Sequence, residues 1–151
     1  ERQIFGFAFT EAPNWVNAII GHETVLEVRR LNLADGRPFA RVTVWVPQTL
    51  GERLSRAEVE ASPFHELLDV DLGGATQTIG AGIVGGEDAD LLEVPVGSPV
   101  LVCTRTTRDS SGSAVLVSEH VFPAHLTQFV VDLPSVGASM APSGLRLVEG
   151  V

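Results

Sequence analysis

The sequence carries one order of patterns twice. Ile4–Phe9, Pro13–Ile20, Val25–Leu33, the turn Ala34-Asp35-Gly36 and Pro38–Val46 make the first set. Thr78–Val84, Glu87–Leu92, Val100–Thr107, the turn Asp109-Ser110-Ser111-Gly112 and Ala114–Phe122 make the second, about 75 positions later. Each set reads strand, short helix, strand, hairpin turn, strand. The strand assignments rest on period-2 alternation and β-branched content, as in Ala40-Arg41-Val42-Thr43-Val44-Trp45-Val46. Asp35-Gly36 is a hairpin signal, because Gly takes positive φ without steric cost. Such a chain is expected to fold as an α+β domain of two similar halves, with room for a site between them.

The linker between the sets is helical in character. Ser55-Arg56-Ala57-Glu58 matches the S-x-x-E capping box. Ser62-Pro63 reads as a further helix start, Ser at the N-cap and Pro at the first helical position, with the helix running to about Leu68. Gly73-Gly74 breaks the chain before the second set. Phe129–Leu133 reads as a last strand. Pro134–Val151 is rich in Ser, Gly and Pro and reads as a tail, within which Leu145–Val148 is apolar enough to dock. The organisation expected is one domain over 1–133 followed by the tail 134–151.

At 151 residues the chain is long enough for one domain and needs no disulfide or metal to hold a core. All its basic residues are arginines, ten against 19 acids, for a net charge of −9. That balance argues against this chain gripping a nucleic acid by itself, since backbone binding needs clustered positive charge. No apolar run reaches the roughly 20 residues of a membrane span, so no membrane partner is expected. A single cysteine, Cys103, excludes an internal disulfide and a thiol-rich metal site, and is compatible with a cytoplasmic location.

Enzyme and cofactor motifs are weak. Gly80-Ala81-Gly82-Ile83-Val84-Gly85 matches G-x-G-x-x-G, but the glycines lie inside a strand and Glu87, Asp88 and Asp90 follow. Glycines of a tightly packed or bulged strand explain it better than a dinucleotide does. His22, His65, His120 and His125 form no H-E-x-x-H pair, so no metal is expected, and these histidines read as surface or capping residues. No G-x-S-x-G elbow is present. Cys103, between apolar neighbours, reads as core. No cofactor and no catalytic residue is assigned.

Three polar residues stand out. Glu119 shares a strand face with Val115, Val117 and Val121, and Arg30 shares one with Leu26 and Val28. A buried charge needs a partner, either a protein ion pair or a ligand. Ser62, at a helix start, is either an N-cap or part of an anion site.

In order and spacing, several segments resemble the UTRA domain. They are Ala12-Pro13, Val25–Pro38, Ser62–Leu68, Val94–Leu101 with Arg105, and Ser118–Phe122. UTRA is the C-terminal effector-sensing domain of HutC-type regulators in the GntR family of transcription regulators. The resemblance spans about residues 3–133. It implies a chorismate lyase-like α+β fold on an antiparallel sheet. It also implies a winged helix-turn-helix domain upstream, which fits a chain that starts at Glu1 and is acidic.

The resemblance also implies site residues. In relatives that sense phosphorylated amino sugars, an R-x-R pair precedes the Ala-Asp-Gly turn; here it falls on Arg30 and Asn32. A family glutamate falls on Val42, a serine and an aromatic fall on Ser62 and Phe64, and a late glutamate falls on Glu119. Asn32 removes one charge-assisted bond to a dianion, and Val42 makes one wall apolar. A small mono-anionic effector such as a carboxylate is therefore expected, in a repressor that binds DNA through its missing N-terminal domain as a homodimer. The alternative is a chorismate lyase-like enzyme with Arg30 holding a carboxylate and Glu119 as acid or base. A third reading is a vestigial pocket in a domain that only dimerises. Under the sensor reading, Arg30 is expected beside Ser62 and the start of the middle helix, and Glu119 beside Arg30, a backbone donor or the effector.

Overall fold

Both copies of the repeated pattern form, each somewhat longer than its apolar alternation. The computed structural model describes residues 1–134 and Val148. The first half is β1 (Arg2–Glu11), α1 (Asn14–Ile20), β2 (Thr24–Ala34) and β3 (Arg37–Pro47). The second is β4 (Leu72–Ile83), α5 (Gly86–Leu92), β5 (Pro99–Asp109) and β6 (Ala114–Pro123). Between them run α2 (Gln48–Gly51), α3 (Arg56–Ala61) and α4 (Phe64–Leu67). The strands make one six-stranded sheet in the order β1-β2-β3-β6-β5-β4, antiparallel throughout. The fold is the expected chorismate lyase-like α+β arrangement of two halves, joined where β3 pairs with β6.

Local chemistry explains the hairpins. Asp35 and Gly36 both take positive φ, 51° and 77°, the requirement of a type I′ turn. At the β5–β6 turn the Asp109 carboxylate accepts from the Ser111 and Ser113 backbone N–H groups and from the Ser111 hydroxyl. These bonds, the Ser111 side chain first, hold the Asp109 carboxyl below its usual range.

The two faces of the sheet carry separate cores. On one face Leu26, Val28, Val42, Val44 and Val46 pack under Val59, Phe64 and Leu68 of the linker helices. On the other, α1 sets Val16 and Ile20 against Val25, Trp45 and Val117. There too α5 sets Ala89 and Leu92 against Val100 and Val121. Each helix crosses the midline: α1 packs on β6 and α5 on β3. The halves are thus interlocked.

Three local expectations change. The Ser55–Glu58 capping box forms and opens α3, but Ser62 does not cap α4. Its backbone N–H donates to the Glu58 carbonyl oxygen, which makes Ser62 the end of α3; Pro63 is the N-cap of a helix that stops at Leu67. Gly80 and Gly82 are neither tightly packed nor bulged. They sit in regular pairing on edge strand β4, whose bulge falls at Leu72–Ala75. Phe129–Leu133 forms no strand. Both sides of β6 are taken by β3 and β5, and the chain leaves through a helical turn at Ala124–Leu126. The expected tail lies outside the described residues apart from Pro134 and Val148.

Gly51 marks the tightest approach of the linker to the sheet. A Cβ there would stand 2.6 Å from the Leu26 Cβ and 3.3 Å from the Phe9 ring. Gly51→Ala is expected to destabilise the domain by about 1–3 kcal/mol through overpacking, measured by urea titration against Gly85→Ala, where a Cβ meets nothing within 4 Å.

Candidate functional site

Pairing register decides which side chains meet. Arg30 on β2 lies opposite Val42 on β3, Val42 opposite His120 on β6, and His120 opposite Cys103 on β5. One step along, Val28, Val44, Ser118 and Arg105 form the next row. All eight face the side covered by the linker helices. Over these rows opens a cavity of about 450 Å³. Arg30, His65, Arg105, Thr107, Ser118 and His120 supply its polar side chains; Phe64 from α4 and Leu72 with Ala75 from β4 close its sides. Arg30 and Arg105 sit three strand spacings and one row apart, roughly 16 Å between backbones, a span that two long side chains narrow from both ends.

The cavity is electropositive and lacks a balancing acid. Among the described residues no aspartate or glutamate lines it. The Arg30 Nε and NH1 groups are buried with no hydrogen-bond partner, as is the Asn32 Oδ1. Burial, and then repulsion from Arg2, lowers the Arg30 pKa to about 10. His120 is pushed down to about 4, by burial first and then by Arg30, Arg105 and Arg41. It is neutral at pH 7, with one ring nitrogen to donate and one to accept. Its ring stacks on Phe122, 5.8 Å between centroids. Cys103 is buried and burial raises its thiol pKa, so it remains a protonated core residue. Among the described residues no three His, Cys, Asp or Glu side chains gather to hold a metal.

The six residues assigned from sequence do not all meet. Arg30 and Phe64 line the cavity. Val42 is fully buried in the core beside it, and Asn32 faces the same side one pair further along β2. Ser62 is not on the lining, although its neighbours Pro63 and Phe64 are, and a four-residue α4 offers no developed helix dipole there. Glu119 lies on the opposite face. It pairs with Thr43, not Val42, and its carboxylate accepts from Arg41 NH1 at 2.9 Å. Arg41 also grips Asp88 of α5 with two bonds of 2.8 and 2.7 Å and donates to the Thr43 hydroxyl. Glu119 is half-buried among its apolar neighbours; the charge answering it is Arg41, and the triad ties α5 to β3 and β6.

Sequence reasoning missed His65, Arg105, Thr107, Ser118 and His120 as lining residues. All but Thr107 stood inside the family-like segments. The signal for Ser118 and His120 was parity: they flank Glu119 and take the other face of β6. Nothing local ties Arg105 to Arg30.

A six-stranded antiparallel sheet with short helices on both faces and a cavity lined by two arginines on one of them defines a domain of the chorismate lyase-like class. The sequence profile of the UTRA domain family matches residues 7–128, and the chain belongs to that family. It is 29% identical over 145 residues to the HTH-type transcriptional regulator Rv0792c of Mycobacterium tuberculosis, with 91% of this chain and 53% of that protein covered. The chain thus spans about half the length of this curated relative. A GntR-family transcriptional regulator from Enterococcus faecalis superposes with a TM-score of 0.81 at 16% identity, covering 88% of this chain and all of the other. The C-terminal domain of the histidine utilization repressor from Pseudomonas syringae does so at 0.76 and 12% identity, covering 89% and 98%. No helix among the described residues is long and apolar enough to cross a membrane.

Two outcomes follow from these charges. The native pKa of His120 lies below the unfolded value near 6.5, so protonation favours the unfolded chain. Stability should fall as pH drops from about 6.5 towards 4, by up to about 3 kcal/mol. His120→Gln should flatten that part of a pH-dependent thermal melt. Glu119→Gln should cost about 1–2 kcal/mol of stability, near the low end for a bond to a charged group because the triad is partly exposed. Arg41→Ala should cost more, because it leaves Asp88 and Glu119 facing each other unpaired; chemical denaturation of both variants checks the order.

Proposed function

We propose that this domain is the effector-sensing and dimerising part of a GntR/HutC-type transcription regulator, and that the cavity over Arg30 takes a small anionic metabolite. The observation that carries the reading is the Arg30 guanidinium, whose Nε and NH1 are buried and, among the described residues, unpartnered in a cavity that no carboxylate lines. An unpaired buried cation is costly, and an anionic ligand removes the cost. Phe64, Val44 and Leu116 offer apolar surface for the rest of the molecule, while Ser118, Thr107 and neutral His120 offer hydrogen bonds. Asn32 in place of a second arginine favours a carboxylate over a phosphate ester at the Arg30 end. Arg105 is a second cation, for a polar or anionic far end. Relatives and fold neighbours that are transcription regulators support this class.

The regulated step requires an upstream winged helix-turn-helix domain in each of two subunits, acting in the cytoplasm. The effector would bind one arrangement of the two copies more tightly than the other and so shift DNA affinity. The lyase reading loses support because its two required groups, Arg30 and Glu119, stand on opposite faces of the sheet.

The test is a thermal-shift panel of mono- and dicarboxylates, amino acids and sugar phosphates. A true effector at 100 times its Kd adds about 2.7 kcal/mol of stability. Arg30→Met is expected to raise the stability of the free domain by about 1 kcal/mol, by relieving a buried unpaired charge, and to abolish the effector's shift. Glu119→Gln is expected to leave affinity unchanged. A sugar phosphate bound more tightly than every carboxylate would overturn the effector class; turnover of the ligand would overturn the sensor.

A further inference from the structure

The cavity carries its two permanent positive charges at opposite ends. Arg30 comes from β2 and Arg105 from β5, with β3 and β6 running between them. Neither arginine is in an ion pair among the described residues. Arg30 is half-buried and Arg105 exposed, so the Arg30 end is the inner one. The floor between the ends is apolar at Val44 and Leu116, with hydroxyls at Thr107 and Ser118 and the ring of His120. His120 lies on β6, between the two arginine strands. Burial first, and then the fields of Arg30, Arg105 and Arg41, hold its pKa at about 4. It therefore offers hydrogen bonds in the middle of the cavity without adding charge at pH 7.

We propose that the occupant of this cavity is a linear dicarboxylate without an amino group, one carboxylate held by Arg30 and the other by Arg105, its chain lying over Val44 and Leu116. The claim deepens the anionic-effector reading above and rests on it. The number of charges and their placement select this class together. A mono-anion leaves one arginine unanswered. A phosphate ester brings both its charges to a single end, where Asn32 supplies no second cation, and leaves the far arginine bare. An amino acid brings an ammonium into a cavity that two arginines make positive and that, among the described residues, no carboxylate lines. A dicarboxylate meets one planar guanidinium fork at each end. A hydroxyl or keto oxygen on its chain finds hydrogen bonds in the middle, from Ser118, Thr107 and neutral His120. The two arginines belong to different halves of the domain, so this ligand braces β2 to β5 across the β3–β6 junction. A mono-anion held at Arg30 makes no such brace.

The test is calorimetric titration of this 151-residue chain with malonate, succinate, glutarate and adipate, and with their monomethyl half-esters as matched mono-anions. Affinity should rise to one optimum along the diacid series and fall beyond it, as attachment at two fixed points requires. The half-ester of the best diacid should bind roughly tenfold or more weakly, the loss of a hydrogen bond to a charged group. The amino derivative of that diacid should bind more weakly than the diacid itself. Arg105→Gln should bring the diacid down to the level of its half-ester and leave the half-ester unchanged, while Arg105→Lys should restore part of the difference. If the Arg105 variants misfold by circular dichroism, the half-ester comparison on the native chain decides. Equal affinity for a diacid and its half-ester, or a folded Arg105→Gln protein that binds the diacid undiminished, overturns the dicarboxylate; the anionic-effector reading stands if that binding still requires Arg30. A series in which nothing binds also overturns the dicarboxylate, and the anionic-effector reading then stands or falls on the monocarboxylates and sugar phosphates of the thermal-shift panel. Diacid binding that Arg30→Met leaves intact overturns both.

Discussion

The antiparallel pairing of β3 with β6 is the junction on which this domain depends. Among the described residues it is the one strand pairing between the two halves, and its register, Val42 opposite His120 and Thr43 opposite Glu119, assigns every side chain along both strands to a face. A slip of one residue would exchange those faces. Glu119 would then come under the linker helices beside Arg30, and His120 would leave the cavity for the side of α1 and α5.

The register is guarded on both faces. On one, Val44 and Val42 pack into the core beneath Phe64 and Val59. On the other, Arg41 reaches Asp88 and Glu119 together, while α1 and α5 each pack across the midline onto the opposite half. The ion triad has its full meaning only in this register, because Arg41 and Glu119 must share a face. Its net contribution to stability is modest, since it is partly exposed to water. Its specificity is greater than its strength.

With the acids drawn to the far face, the near face keeps cations without counter-charges. Arg30 and Arg105 come from different halves, and His120 stays neutral between them. A cavity of this polarity is poised for an anion. It lies beside β4, the most exposed of the six strands, so the cavity and the sheet edge adjoin.

Much of the fold was written locally. Alternation over Ala40–Val46, the Asp35-Gly36 turn and the Ser55–Glu58 box each specify structure through neighbours a few residues away, and each formed. Alternation also showed that Arg30 and Glu119 point among apolar side chains. It could not say that they point in opposite directions across the sheet. That relation depends on the pairing of β3 with β6, roughly 75 positions apart in sequence, which period-2 reasoning within one strand does not contain. For the same reason Arg105 was invisible as a partner of Arg30. Ser62 failed as a cap because the preceding helix claimed it, and Phe129–Leu133 failed as a strand because β6 already had two neighbours. Sequence determined the elements, their order and the inward-facing charges. Tertiary structure alone decided which charges meet, because register and topology, not propensity, set the distances between residues remote in the chain.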